Sequence, residues 1–305
     1  MRILISGAAG FIGRSLAEHF LHQGGHSLLV PEKSGLDFRD SEAVRKFMAV
    51  SKPDVVIHAA AVGGNRKTGY DSGSTGVFSD NVRMFLNVTR SLAAGARLIN
   101  LGSGSEYDYR AYTPKMKETS FGGSVPQDPY GFSKYAISRY VEAMPNAVSL
   151  RLFGLFGPYE DYTYKFISNA IVKNLLGMPI TINQNVRFDY LYIKDFCRVM
   201  EKFVSGPCSS RHYNVTPSDS ITLLELAGLI NKVAQKPSEI VVLNPGMNRE
   251  YSGDNSRLIS EFPDLAFTPY QEAVSELYSY YRANLRSLDI EAVKKDPYLK
   301  VCRKI

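Results

Sequence analysis

Residues 2–13 constrain the fold of this chain more than any other stretch. Arg2-Ile3-Leu4-Ile5-Ser6 is a short apolar run of the kind that forms a buried parallel strand. Gly7-Ala8-Ala9-Gly10-Phe11-Ile12-Gly13 follows directly, and Ile12, Leu16 and Phe20 then recur at helical spacing. A strand, a glycine turn and a helix N-terminus in this order make a socket for a dinucleotide pyrophosphate. Gly7 makes the tight turn, Gly10 lets the backbone approach phosphate, and Gly13 lets the helix pack close to the strand. The unpaired N–H groups and dipole of the helix then face the anion. A glycine pattern alone is weak; here the context it requires is complete.

The 305 residues allow one large or two smaller domains. A composition of 44% hydrophobic and 22% charged residues is that of a soluble globular protein. No apolar stretch reaches the length a membrane helix needs, and the first apolar run is too short for a signal peptide. Cys197, Cys208 and Cys302 match no metal or redox spacing, so reduced thiols and a cytoplasmic location are expected. The histidines form no pair with ligand spacing, no metal is expected, and His58 reads as a satisfied core histidine. The net charge is +6. Half of that excess sits in the polar stretch 286–305, so neither nucleic acid nor a membrane is an expected partner. A modest positive field suits a polyanionic substrate.

Strand patterns at 2–6, 27–30, 54–58, 97–101 and 147–152 alternate with helix patterns at about 11–23, 41–50, 78–94 and 129–143. This rhythm predicts an α/β chain, a Rossmann doubly wound parallel sheet with helices on both faces. Ligands of such sheets bind beyond the C-terminal strand ends, where Gly7, Ala59-Ala60-Ala61 and Ser103 fall. Beyond about 153 the rhythm loosens: a helix at 163–176, a strand at 179–182, a strand at 188–193, and helices near 195–204, 222–233 and 270–284. The expected division is a nucleotide-binding domain over 1–160, with segments returning near 186–215, and a smaller interleaved C-terminal α/β substrate lobe over 161–305.

Asp128-Pro129-Tyr130-Gly131-Phe132-Ser133-Lys134 opens a helix, with Asp128 able to cap it and Pro129 suited to its first position. A spacing of four places the Tyr130 phenol and the Lys134 ammonium on one helical face. An unperturbed tyrosine, with a pKa near ~10, is a poor base at neutral pH. A nearby ammonium favours the phenolate and lets the phenol exchange a proton with a carbonyl or alcohol. Tyr-x-x-x-Lys is common by chance. Ser103, at the end of a strand 27 residues earlier in Leu101-Gly102-Ser103-Gly104-Ser105-Glu106-Tyr107, sharpens it, because its hydroxyl can hold a substrate oxygen in line with Tyr130.

Socket, serine and tyrosine–lysine pair together resemble the extended short-chain dehydrogenase/reductases, the NAD-dependent epimerase/dehydratase family, over nearly the whole chain. The resemblance implies that Gly7, Gly10, Phe11, Ile12 and Gly13 hold the cofactor and that Ser103, Tyr130 and Lys134 form the catalytic triad, Tyr130 and Lys134 also touching the cofactor. It further implies an adenine contact in Leu36-Asp37-Phe38-Arg39-Asp40, at Asp37 and Phe38, cofactor lining by Ala59, Ala60 and Ala61, and a structural role for Asn81. Among the branches, Ala59-Ala60-Ala61-Val62-Gly63-Gly64 and Leu101-Gly102-Ser103 most resemble the GDP-L-fucose synthases, which reduce a 4-keto sugar nucleotide. Arg249, in Asn248-Arg249-Glu250, matches the branch's diphosphate arginine, and Asn169 an asparagine that reaches the substrate. Another family arginine falls one residue from Arg187, at Phe188; either a bulge restores Arg187 or the contact is lost.

The departures sort the reactions. Gly104 and Ser105 stand where a 4,6-dehydratase has its Asp and Glu, which ranks dehydration low. Ser105, itself a candidate substrate contact, stands where a fucose synthase has a cysteine. Its hydroxyl is a far weaker acid than a thiol, which places double epimerisation in doubt while leaving ketone reduction intact. The expected activity is NADPH-dependent reduction of a 4-keto(-6-deoxy) sugar nucleotide with Tyr130 as proton donor. The alternatives are C4 epimerisation with tightly bound NAD, and a non-catalytic NADP(H)-binding sensor. Glu32 and Lys33 give both signs of charge at the end of the second strand. NADP(H) is favoured through Lys33 and Arg14, with NAD(H) as the other possibility. The resemblance also implies a homodimer built on the helices near 78–94 and 129–143.

Overall fold

Residues 1–32, 34–63, 76–300 and 302 are described by the computed structural model of the protein. Five strands follow in chain order: β1 (Arg2–Ser6), β2 (Ser27–Leu29), β3 (Val55–His58), β4 (Arg97–Ser103) and β5 (Ala147–Leu152). With His212–Val215 they form a six-stranded, wholly parallel sheet in the spatial order His212–Val215, β5, β4, β3, β1, β2. The strand order reverses at β1, where the glycine turn begins, which is where such sheets take their ligands.

Side-chain alternation divides the sheet's apolar residues between two cores. Ile3, Ile5, Ile57, Ile99, Leu101, Val148 and Leu150 face one layer, with Leu16 and Phe20 of α1 (Phe11–Gln23) and Phe196, Met200 and Phe203 of a returning helix, Ile193–Ser205. Leu4, Val56, Leu98 and Ala147 face the other, against Val44 of α2 (Ser41–Ser51), Met84, Phe85 and Val88 of α3 (Val77–Arg90), and Ile137 and Val141 of α4 (Pro129–Glu142). Because both faces are covered, the strands read as nearly unbroken apolar runs. Burial at ~25 cal/mol per Å2 of apolar surface makes these two layers the principal stabilising term.

The second lobe contains α5 (Phe166–Leu175) and three two-stranded sheets: Gly154–Phe156 with Tyr190–Tyr192, Arg187–Phe188 with Ile221–Thr222, and Ile180–Asn185 with Ile240–Met247. Several of the predicted elements differ: the helix expected to about 94 ends at Arg90, and the strand expected to 101 runs to Ser103. The expected strand over 188–193 is two short strands with different partners, because Asp189 between them turns inward to Lys115, Ser220 and the Gly253 N–H. The helix expected from 163 starts at Phe166, because Asp161 holds the preceding residues in a turn through the Thr163 N–H at 3.0 Å and the Lys165 N–H. Among the described residues no helix is long and apolar enough to cross a membrane.

Candidate active site

The glycine turn has the geometry its sequence demands at two of its three glycines. Gly7 has φ +72°, and a Cβ there would lie 2.8 Å from Ala60 backbone atoms. A Cβ on Gly13 would lie 2.3 Å from the Gly7 carbonyl oxygen, so the first turn of α1 closes on the loop only with glycine. Gly10, the N-cap of α1, is exposed, and a Cβ there meets only the Gly7 oxygen at 3.4 Å. The protein's own packing makes little demand for glycine at this position, whereas close approach of a pyrophosphate does. The residues present therefore fit a dinucleotide cofactor.

The neighbouring loop is held by Ser6. Its hydroxyl accepts the N–H groups of Ala59 and Ala60, each at 3.1 Å, and contacts His58 Nδ1 at 3.1 Å. Burial, then the Lys134 charge, lowers the His58 pKa to about 3, so its ring is neutral and its role is structural. One step further along, Asn81 accepts the Val62 N–H at 2.7 Å and donates to the Val62 carbonyl and to Ser133 Oγ. That amide ties the loop after β3 to α4.

α4 starts as its sequence predicts. Asp128 accepts the Gly131 N–H at 2.7 Å, and Pro129 occupies the first turn. Tyr130 and Lys134 follow on one face, with the Lys134 ammonium 5.9 Å from the centre of the Tyr130 ring. Lys134 Nζ donates to the Leu101 carbonyl at 2.8 Å, which commits one of its three donors and leaves two for a ligand. Burial lowers its pKa to about 8, offset in part by Glu106. Ser103 ends β4 two residues beyond Leu101, and its Oγ accepts the Ser105 N–H at 3.1 Å, which leaves its own proton to donate.

Sequence reasoning missed what underlies Ser103. Glu106, fully buried, accepts the Ser103 N–H on Oε1 at 2.9 Å and Arg151 Nε on Oε2 at 2.6 Å. Arg151 is also fully buried, and its guanidinium lies 4.0 Å from the centre of the Phe121 ring and 3.3 Å from the Tyr107 hydroxyl. The signal was present locally: Ser103-x-x-Glu106 is a capping-box spacing, and both of its bonds form. Its partner, 45 residues away, carried no such mark.

A cleft of about 510 Å3, within the usual range for small-molecule sites, opens along the strand ends and the second lobe. It brings together Phe11, Ile12, Ala59, Ala61, Ser103, Ser105, Tyr130, Lys134 and Arg249. Arg249 is exposed, with Nη1 on the Tyr109 carbonyl at 2.5 Å and its guanidinium 5.0 Å from the centre of that ring. Tyr107, Tyr112, Phe153, Phe188, Tyr190 and Tyr251 add an aromatic wall that the sequence did not reveal, because it gathers from four separate segments.

Other expected contacts lie elsewhere. Ala60 packs behind the Gly7 turn and does not line the cleft. The Phe38 side chain is in the core with Leu36 and Val44, and its carbonyl accepts Asn87 Nδ2. Asp37 is paired with Arg39 at 2.6 Å. Asn169 is buried and donates to the Tyr162 carbonyl at 3.0 Å. Arg187 donates to the Ser220 carbonyl at 3.1 Å while Phe188 lines the cleft, and their pairing with Thr222 and Ile221 shows no bulge. Arg14 pairs with Glu18 at 3.0 Å and lies over the Tyr159 ring. Lys33 lies outside the described residues.

A GDP-L-fucose synthase of Azorhizobium caulinodans is 26% identical to this chain over 92% of it and 96% of its own length. A solved GDP-L-fucose synthetase from Naegleria fowleri bound to NADP has a TM-score of 0.79 at 18% identity, covering 94% of each chain. The UDP-glucose 4-epimerase of Thermotoga maritima, solved with UDP-glucose, has a TM-score of 0.78 at 19% identity, covering 93% of this chain and all of its own. A profile described as the NAD dependent epimerase/dehydratase family matches residues 3–216. That match spans the glycine turn, Ser103, the Tyr130–Lys134 pair and the six-stranded sheet, and the chain belongs to the NAD dependent epimerase/dehydratase family.

Proposed function

We propose that this protein reduces the ketone of a 4-keto(-6-deoxy) sugar nucleotide with NADPH. The observation that carries the reading is the buried Lys134 ammonium, pinned by the Leu101 carbonyl beside Tyr130, on the same strand end that presents Ser103. A bound nicotinamide nucleotide supplies the hydride. Gly7, Gly10, Gly13, Phe11, Ile12, Ala59 and Ala61 would hold it, with Lys134 offering its remaining donors to the ribose. Ser103 donates to the ketone oxygen and orients it. Tyr130 gives that oxygen its proton, and the Lys134 charge stabilises the phenolate left behind. Such proton transfer typically contributes ~10²–10⁴-fold. Arg249 supplies a planar fork for the substrate diphosphate.

Dehydration has less support. A Cβ on Gly104 would lie 2.5 Å from the Tyr251 hydroxyl and 2.8 Å from Phe153, so no carboxyl side chain fits there. C4 epimerisation is the second reading, supported by the fold shared with the Thermotoga epimerase. The NADP bound to the Naegleria enzyme supports NADP(H), and the NAD bound to the Thermus thermophilus UDP-glucose 4-epimerase supports NAD(H) for the second reading. Loss of nicotinamide absorbance with one member of a panel of 4-keto-6-deoxy sugar nucleotides, and a product heavier by two hydrogens, is the expected result. Sugar interconversion without net cofactor use would favour the epimerase. Binding of NADPH with no substrate consumed, unchanged in Tyr130→Phe, would favour a sensor. A homodimer seated on α3 and α4 belongs to the same reading. There Phe132 is exposed and stacks on Phe78 at 4.8 Å, and sedimentation equilibrium tests it.

A further inference from the structure

One carboxyl in the cleft has no part in this chemistry. The buried carboxylates are Glu106, Asp108, Glu118, Glu160, Asp189 and Asp195. Five of them have a basic group within 4.0 Å: Arg151, Arg110, Arg257, Lys115 and Arg198. Among the described residues Glu160 has none; its one side-chain hydrogen-bond partner is Ser168, whose hydroxyl donates to Oε2 at 2.7 Å, and the Lys165 charge acts on it only from beyond ion-pair distance. A buried acid with so little compensation is costly to keep. The backbone adds to that cost, because Tyr159, the residue before it, has φ +71°, a region that non-glycine residues seldom occupy. Glu160 nevertheless lines the same cleft as Ser103 and Tyr130. Both costs meet at a side chain whose second oxygen accepts no hydrogen bond among the described residues.

We propose that Glu160 is a substrate-binding, specificity-determining residue, which accepts a hydrogen bond from a ring hydroxyl of the sugar held in this cleft. The inference rests on the sugar-nucleotide reading given above. A carboxyl accepts whether neutral or ionised, but it binds a hydroxyl more strongly when ionised. Burial raises its pKa to about 7, opposed in part by the Lys165 charge and the Ser168 hydrogen bond and aided by the Asp161 charge, so sugar affinity changes across neutral pH.

The test compares wild type with Glu160→Gln and Glu160→Ala, each checked for a cooperative thermal melt and for unchanged NADPH affinity. The ligands are a reducible 4-keto-6-deoxy sugar nucleotide and, in calorimetry with NADP+ present, the stable probes GDP-mannose and dTDP-glucose. Glu160→Gln is expected to raise KM or the probe Kd at least ~10-fold, with kcat within about threefold. The wild-type dependence of KM on pH near neutrality should vanish in that variant. Equal sugar affinity and an equal pH profile in both proteins overturn the proposal, as does a parallel loss of kcat, sugar affinity and NADPH binding, which marks a structural role. If wild type itself neither binds nor reduces any sugar nucleotide, the underlying reading fails and the proposal with it. A wild type that binds a probe but reduces no ketone still decides the role of Glu160 through the calorimetry.

Discussion

Glu106 and Arg151 form an ion pair of 2.6 Å, both side chains sealed from solvent, and the free oxygen of Glu106 holds the backbone N–H of Ser103. The pair thus fixes the strand end that presents the serine hydroxyl. Removing one partner leaves a buried charge alone, so Arg151→Met or Glu106→Gln should each cost about 3–5 kcal/mol. The double variant should cost less than the sum. Urea unfolding of the two single variants and the double variant measures the coupling, and additive losses would refute it.

The two inner glycines of the turn separate folding from binding. Gly13→Ala drives a Cβ into the Gly7 carbonyl and should destabilise the fold. Gly10→Ala meets only a 3.4 Å neighbour, so its melting temperature should stay close to wild type while NADPH affinity falls at least ~10-fold. Fluorescence titration and a thermal melt on both variants suffice. Normal cofactor binding by Gly10→Ala would exclude the turn as the pyrophosphate site.

Lys134 sets the alkaline behaviour. Its pKa, lowered from 10.5 to about 8, means that the folded state gives up this proton more readily than the unfolded state. Between about pH 8 and 10.5 the unfolded chain binds more protons, so wild-type stability should rise with pH relative to Lys134→Met. Turnover should move the opposite way, falling above about pH 8 as the ammonium beside Tyr130 is lost. Denaturant melts and a kcat–pH profile test the two limbs.

Glu160 acts at the acid end. Its folded pKa of about 7 lies above the ordinary 4.5, so its contribution is fully present below pH 4.5 and is lost as pH rises through 7. Glu160→Gln should flatten this decline, by up to about 3 kcal/mol. Identical stability curves for the two proteins over pH 4.5–7 would contradict it.

The legible parts of this molecule are those whose causes are local. β1, the glycine turn and α1 show their periodicity within a few residues, and so does the Asp128–Pro129 start of α4. His212–Val215 escaped notice because the alternation in His-Tyr-Asn-Val is only four residues long; pairing with β5 makes it a strand. Ile240–Met247 escaped because Pro245 and Gly246 interrupt it, and its partner lies 60 residues earlier. The triad lines one cleft because strand ends and a helix start are fixed by the sheet. Arg187 and Asn169, placed by resemblance, each donate to a backbone carbonyl, of Ser220 and Tyr162. Glu160 carried no sequence signal, since nothing local marks a carboxyl that will be buried without a close ion pair.

The most direct measurement follows nicotinamide absorbance when NADPH and a freshly made 4-keto-6-deoxy sugar nucleotide are mixed with wild type and with Tyr130→Phe. Wild type should consume one NADPH for each ketone reduced, and Tyr130→Phe should be at least ~10²-fold slower at nearly unchanged NADPH affinity. No consumption with any member of the ketone panel, or a phenylalanine variant as fast as wild type, would contradict Tyr130 as the proton donor of a ketone reductase.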